Sequence, residues 1–499
     1  MGIDIDKSSF AESDYRDFEK KLQTNLSSLS SLLSQTGFGK KKPGSAILGA
    51  ELEMYIVDSK GEPLLLNQEI LDAADDKQLT LEINRYNLEY NLTPYSLSDA
   101  PFKSTENEIC RQLSKLNDIA AKYEGRIFPV GILPTLDNSH FGPVCMTDRQ
   151  RYRTLVEQLF ERRGREFEID INGRPPLQMD MQDVTLEGAN TSFQIHYRVD
   201  PEDYANTFNA FQMVTPLVLA LGANSPGLFG HDLWCETRVP LFKQSIDTRI
   251  KDRYRWNEPS RVSFGQGWVR RSALELFQET ASIFSPLLPI CSEQDPEAQM
   301  AEGKAPSLSE LRLHQSSVWL WNRPVYDDAD EGHLRIELRS LPAGPSAVDM
   351  VANAALYIGL AEYYRDKMNE LMPALPFHLA EFNFYRAAQF GLGARIVWPD
   401  PQRSGCRDQP IIDILSQSID HAEQGLRSIG VEDEEAGYYL SIVKKRLESK
   451  QNGAVWQRER TAYYQNEKSY SSDKARKAML EDYIAYSLDN IPVGEWPLT

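Results

Sequence analysis

The stretch GAELEMYIVD, residues 49–58, constrains this chain more than any other. Its residues alternate: Leu48, Leu52, Met54 and Ile56 fall on one side, Gly49, Glu51, Glu53 and Tyr55 on the other. A period of two is the signature of a strand with one buried face. Three further segments share the pattern and put polar groups on the second face. NLEYNLTP (87–94) sets Leu88, Tyr90 and Leu92 against Asn87, Glu89 and Asn91, TSFQIHYRV (191–199) carries Gln194 and His196, and HLRIELRSL (333–341) carries Arg335, Glu337 and Arg339. Side chains at i and i+2 point the same way, so each set can project from one sheet face into a shared space.

Elsewhere the period is helical, at 13–35, 104–124, 203–221 and 346–371, and beyond about residue 400 the chain reads as helical throughout. Strands and helices do not recur in regular strand-helix-strand units, so the expected class is α+β with a largely antiparallel sheet packed with helices. The chain divides into an N-terminal helix and basic linker (1–45), a core holding the alternating strands (46–400), and a helical C-terminal region packed on that core (401–499). In the linker GFGKKKPGS, Gly39 and Gly44 have the spacing of a phosphate loop. Ser45 follows where Lys and then Ser or Thr are required, so no such loop is expected.

With 499 residues, 41% hydrophobic and 25% charged, the chain can bury a large core. A formal net charge of -19 argues against a nucleic-acid partner, which demands a clustered Lys/Arg footprint. No apolar run reaches the ~18 residues of a membrane span, and the N-terminus MGIDIDKSSFAESDY lacks the basic-then-apolar order of a signal peptide. No membrane partner and a cytoplasmic location are therefore expected, and a homo-oligomer is compatible with the sequence. Cys110, Cys145, Cys235, Cys291 and Cys406 are far apart and form no C-x-x-C pair, which fits a reducing compartment.

A single strand with alternating acids is most often a sheet whose outer face is solvated. Four together, one with Gln and His, favour convergence instead. Converging carboxylates repel one another and rise in pKa unless a cation neutralises them. Oxygen donors with one imidazole suit Mg2+ or Mn2+, and neighbouring arginines can grip phosphate or carboxylate through paired hydrogen bonds. Trp319 and Trp321 read as core packing, and Cys110 as buried rather than nucleophilic.

The segments GAELE (49–53), NLEYNLTP (87–94), TSFQIHYRV (191–199), LGANSP (221–226), RIELRSLPAGPS (335–346), FNFYRAAQFGLGA (382–394) and NGAVWQRER (452–460) occur in one order. In that order they resemble the second family of glutamate-cysteine ligases, the carboxylate-amine ligases. The resemblance implies a curved half-barrel sheet like that of glutamine synthetase, holding ATP and Mg2+ or Mn2+. It implies small-molecule substrates and amide formation through an acyl phosphate, most simply γ-glutamylcysteine from glutamate and cysteine. It makes Glu51, Glu53, Glu89, His196 and Glu337 metal ligands, with Glu53, Glu337 and Arg339 catalytic. Gln194, Arg323 and Arg335 fall at the nucleotide, and Arg238 and Glu82 at the substrate. The chain departs from the family pattern at Phe193 to Tyr197, at Cys235-Glu236-Thr237-Arg238, and at Pro342, where the E-x-R strand is commonly followed by an acid.

Alternatives are a ligase of the same family with another amino acid or amine, a guanidino-type phosphotransferase, and a non-catalytic regulatory relative. On the ligase reading, Glu53→Gln and Glu337→Gln are both expected to abolish ATP turnover with the fold intact.

Overall fold

The alternating segments pair with one another. In the computed structural model, which describes residues 7, 9–42, 44–45, 47–249, 256–399 and 405–499, they form an antiparallel sheet of seven strands. The strands are β1 (Leu48–Asp58), β2 (Leu79–Leu81), β3 (Asn87–Asn91), β4 (Gly125–Phe128), β5 (Phe193–Val199), β6 (Asn322–Asp327) and β7 (His333–Leu338). Their order is β6-β7-β5-β1-β3-β2, and β4 pairs with the second half of β1. The sheet curls into a half-barrel among helices, as the α+β reading and the resemblance require.

The helices that matter here are α1 (Glu12–Leu33), α2 (Pro101–Ala120), α3 (Gln150–Arg163), α4 (Tyr204–Gly222), α5 (Leu274–Ile283), α6 (Ser309–Gln315) and α7 (Ala347–Arg365). They are followed by α8 (Ile411–Ser428), α9 (Asp433–Ser449), α10 (Gly453–Asn466) and α11 (Ser472–Leu488). One face of the sheet is apolar: Leu52, Met54, Ile56, Leu88, Ile195, Tyr197 and Ile336 are all buried. It packs on α4 and α7, which are buried on nearly every side. The Tyr197 ring meets Phe211 of α4 edge-on at 5.6 Å, and its hydroxyl donates to Glu362 of α7 at 2.8 Å. Burial of this face fixes the register, because a one-residue slip in any strand would drive its acids into the core.

Helices α7 and α8 approach through glycines. A Cβ on Gly359 would lie 2.4 Å from the Ala422 carbonyl oxygen, and one on Gly425 would lie 1.9 Å from the Gly359 carbonyl oxygen. No larger residue fits that crossing. The C-terminal helices share the core: Trp456 of α10 and Met479 and Tyr483 of α11 pack with Tyr55 of β1 and Phe128 of β4.

The helix expected at 346–371 stops at Arg365, and a separate helix follows at Met368–Ala374. The region read as helical beyond 400 becomes so only at Ile411. Before it, Arg395–Pro399 and Cys406–Pro410 pair as an antiparallel ladder, their connection lying outside the described residues. The alternation of Ile396 and Trp398, both buried, carried the signal for the first of these strands. No helix among the described residues is long and apolar enough to cross a membrane.

Candidate active site

The second face of the sheet is polar, and its register gathers residues far apart in the chain. Glu337 lies opposite His196 and Arg323, Glu51 opposite Gln194, and Glu53 opposite Glu89. Two clusters result, Glu51 with His196 and Glu337, and Glu53 with Glu82 and Glu89. In each, one ligand atom per residue lies within 4.8 Å of the others.

The first cluster is laced with cations. Arg335 Nε donates to His196 Nδ1 at 3.1 Å, and His196 Nε2 lies 3.0 Å from Glu51 Oε1. Arg323 grips both oxygens of Glu337 at 2.6 and 2.9 Å, and Arg339 donates to the same carboxylate and to Gln194. Burial pushes Glu51 up, but His196 outweighs it and holds the group below the ordinary glutamate range. For Glu337 burial is overcome by Arg323 and Arg339, which hold the carboxyl well below that range.

The second cluster is a nest of acids. Glu53 accepts the Ser192 backbone N–H at 2.6 Å, the Ser192 hydroxyl at 3.0 Å and the Gln194 amide at 2.9 Å. Glu89 accepts from Thr80 at 3.0 Å and Asn91 at 2.9 Å. Burial raises every acid here: Glu53 against the pull of Arg339 and Arg238, and Glu82 well above its usual value with help from Glu89, Glu53 and Glu187. Glu89 is pushed up to about 7 by burial and by Glu51 and Glu53. Glu187, in the turn Glu187–Ala189, reaches about 7 through burial and Glu53. A crowd of hard oxygen donors with excess negative charge is the donor set a divalent cation such as Mg2+ or Mn2+ requires.

These shifts give a signed pH prediction. Burial and neighbouring carboxylates push Glu89 and Glu187 up to about 7 in the folded chain, well above the ordinary glutamate value they keep when unfolded. Between those limits the folded chain binds more protons than the unfolded one, so stability falls as pH rises through the window. The melting temperature of metal-free protein is expected to drop between pH 5 and 8, and Mg2+ to raise it more at pH 8 than at pH 5.5. A magnesium effect that does not vary with pH would contradict the assignment.

Above the two clusters lie cavities of about 240 and 210 Å³. They share Glu51, Arg151, Ser316 and Arg323, and so form two lobes of one cleft. The first lobe is roofed by Phe277 of α5 and by Ser309, Arg312 and Gln315 of α6. The second is roofed by Tyr152, Leu155 and Leu159 of α3.

Glu51, Glu53, Glu89, His196, Glu337, Gln194, Arg323, Arg335 and Arg339 all line this cleft. Glu82, expected beside the substrate, joins the second carboxylate cluster. Arg238 is the exception. It lines neither lobe; buried, it pairs with Glu236 at 3.2 Å and donates to the Ser340 carbonyl at 3.2 Å and, at 3.4 Å, to that of Arg339. Its Nη atoms are met from within the protein, so a substrate carboxylate would have to reach it from outside the two lobes. Sequence reasoning missed Glu187, Arg151 and Arg312, which sit on a turn and two helices where no alternation marks a face. The nearness of Glu187 to the Ser192–Gln194 stretch was the one available signal. Trp321 is buried as expected, whereas half-buried Trp319 lines the second lobe. Cys110 is half-buried, its thiol pushed up to about 11 by burial.

Fold and site together define an antiparallel half-barrel protein with a carboxylate-lined cleft. The sequence profile of glutamate-cysteine ligase family 2 matches residues 47–478, and the chain belongs to that family. Among solved structures, a glutamate-cysteine ligase from Francisella tularensis, in complex with AMP, is similar over 92% of this chain and 93% of its own, with 12% identity and a TM-score of 0.50. At that identity the likeness is one of fold. A bifunctional glutathione synthetase from Pasteurella multocida is similar over 94% of this chain at 13% identity and a TM-score of 0.47, and this chain spans 55% of its length. The Pup ligase PafA, in complex with Pup, is similar over 88% of this chain and 72% of its own, at 10% identity and a TM-score of 0.39. No curated relative matches the chain in sequence.

Proposed function

We propose that the protein is an ATP-dependent carboxylate-amine ligase acting on small molecules in the cytoplasm, with glutamate and cysteine as the first pair to test. The reading is carried by one observation: a nest of crowded acids adjoins an arginine-rich lobe in a single cleft. Residues 46–400 are then the ligase catalytic core, 1–45 the N-terminal helix and basic linker, and 401–499 the helical C-terminal region.

Direct condensation fails because a carboxylate is a poor electrophile. Phosphorylation solves this: a carboxylate oxygen bonds to the terminal phosphorus of ATP as the bond to ADP breaks. The amine then attacks the carbonyl carbon, and phosphate leaves. Glu51, His196 and Glu337 would hold one divalent ion and Glu53, Glu82 and Glu89 another, and such ions, when bound, neutralise phosphate charge during in-line transfer. Arg312, Arg323 and Arg335 line the first lobe as phosphate partners, with Phe277 and Leu313 offering an apolar wall. Tyr152, Leu155 and Leu159 give the second lobe an apolar side. Glu187, a carboxylate lining the second lobe beside the second cluster, is the group placed to take the proton of the attacking ammonium group.

The Glu236–Arg238 pair favours a second version of this reading, the same chemistry with a different acid or amine. An assay offering ATP, Mg2+ and pairs of amino acids, reading phosphate release, tests both. Release is expected only when acid and amine are both present. Phosphoryl transfer without an amide product would mark a guanidino-type phosphotransferase. Absence of Mg2+-dependent ATP binding in calorimetry would mark a non-catalytic relative.

A further inference from the structure

The first helix lies outside the family match at 47–478, yet it is fastened to the roof of the cleft. Phe18, Leu22, Leu26, Leu29 and Leu32 form its buried stripe, which packs on α5 and α6. Within that stripe sits Asn25, only 1% exposed.

Its position explains the polar residue. Helix α6 opens after Leu308, which has no side chain able to cap it and whose backbone is left-handed at φ 46°. The first N–H groups of a helix have no intrahelical partner and need an acceptor from elsewhere. Asn25 Oδ1 supplies one, accepting from Leu311 N–H at 3.2 Å, while its Nδ2 donates to Glu310 Oε2 at 3.2 Å. The other Glu310 oxygen accepts the Ser292 N–H at 2.7 Å and the Ser292 hydroxyl at 3.0 Å. Lys21, one turn before Asn25, donates to the Ser292 carbonyl and lies 3.9 Å from Glu310. At the other end of α1, the Tyr15 hydroxyl donates to Gln158 of α3 at 3.0 Å. Helices α3 and α6 roof the two lobes, so α1 ties both halves of the roof together.

We infer that α1 is a positioning element for the cleft, and that the Asn25–Glu310 pair sets the pose of α6 and therefore of Arg312 over the first lobe. Asn25 touches nothing in the cleft and acts through Leu311 and Glu310. The kinetic consequence rests on the proposed nucleotide site; the structural one does not.

A reversal of the pair tests this. Asn25→Asp keeps the acceptor for Leu311 but sets a carboxylate against Glu310. Glu310→Gln keeps the acceptor for Ser292 but sets an amide donor against Asn25. Combined, the new amide donates to the new carboxylate and the pairing with residue 310 is restored with its polarity reversed, while the bond from Asn25 Nδ2 to the Lys21 carbonyl at 2.9 Å stays lost. Each single variant is expected to raise KM for ATP roughly tenfold, with kcat nearly unchanged. Each is also expected to speed amide hydrogen exchange at 309–316 while leaving 48–58 and 333–338 as they were. The double variant should recover a large part of both. The inference is overturned if the single variants match the parent at 309–316, if protection falls uniformly instead of locally, or if the double variant is no better than either single one. Should the parent protein turn over no ATP, the functional reading fails, and the exchange experiment still decides the role of α1.

Discussion

Replacing Glu53 by Gln is expected to lower ATP turnover by roughly a thousandfold and, in the same protein, to raise the melting temperature of the metal-free form. The two effects share one cause. Burial lifts the Glu53 carboxyl above its ordinary value in spite of Arg339 and Arg238, so its charge is less favourable in the folded chain than in the unfolded one. An amide of the same shape removes that charge, together with its repulsion of Glu82, Glu89 and Glu187, and keeps an acceptor for Ser192, while its NH2 faces the Gln194 amide that donates to Glu53 and offsets part of the gain. A cation loses a ligand, and the stabilisation that Mg2+ confers should shrink accordingly. Turnover equal to that of the parent would remove Glu53 from the metal set.

Glu337→Gln should lose turnover as completely, but with the opposite effect on the fold. Glu337 is 1% exposed and receives a two-pronged grip from Arg323 and a further bond from Arg339. Removing one partner of a buried ion pair leaves the other charge uncompensated and costs about 3–5 kcal/mol. The expectation that both glutamine variants leave the fold undisturbed is therefore kept for Glu53 and replaced for Glu337 by a loss of stability. Urea unfolding of the metal-free proteins separates them: the midpoint should rise or stay level for the first and fall clearly for the second. A Glu337→Gln midpoint equal to that of the parent would contradict the ion-pair geometry.

The contrast shows what could be read in advance. Alternation placed Glu51, Glu53, Glu89, Gln194, His196 and Glu337 on one face of their strands, because a period of two leaves a side chain only two directions. It could not supply pairing between strands. That Glu337 stands opposite His196, and Glu53 opposite Glu89, depends on contacts across long stretches of chain. Nor could it show that one cluster is saturated with arginines and the other is not, the difference behind the opposite stabilities above. Arg151, Arg312 and Glu187 reach the cleft from helices and a turn, where their spacing resembles any solvated surface. Glu236 was visible as a departure from the family pattern, but its bond to Arg238 was not. Asn25 passed as an ordinary polar break in a helical stripe, since only the open end of α6 gives it a purpose.

Diffraction from crystals grown with Mn2+ and a non-hydrolysable ATP analogue, collected near the manganese absorption edge, bears most directly on the central claim. Anomalous peaks are predicted at two places, one among Glu51, His196 and Glu337 and one among Glu53, Glu82 and Glu89, with phosphate oxygens between them. Nucleotide bound with no manganese at either cluster would contradict the account.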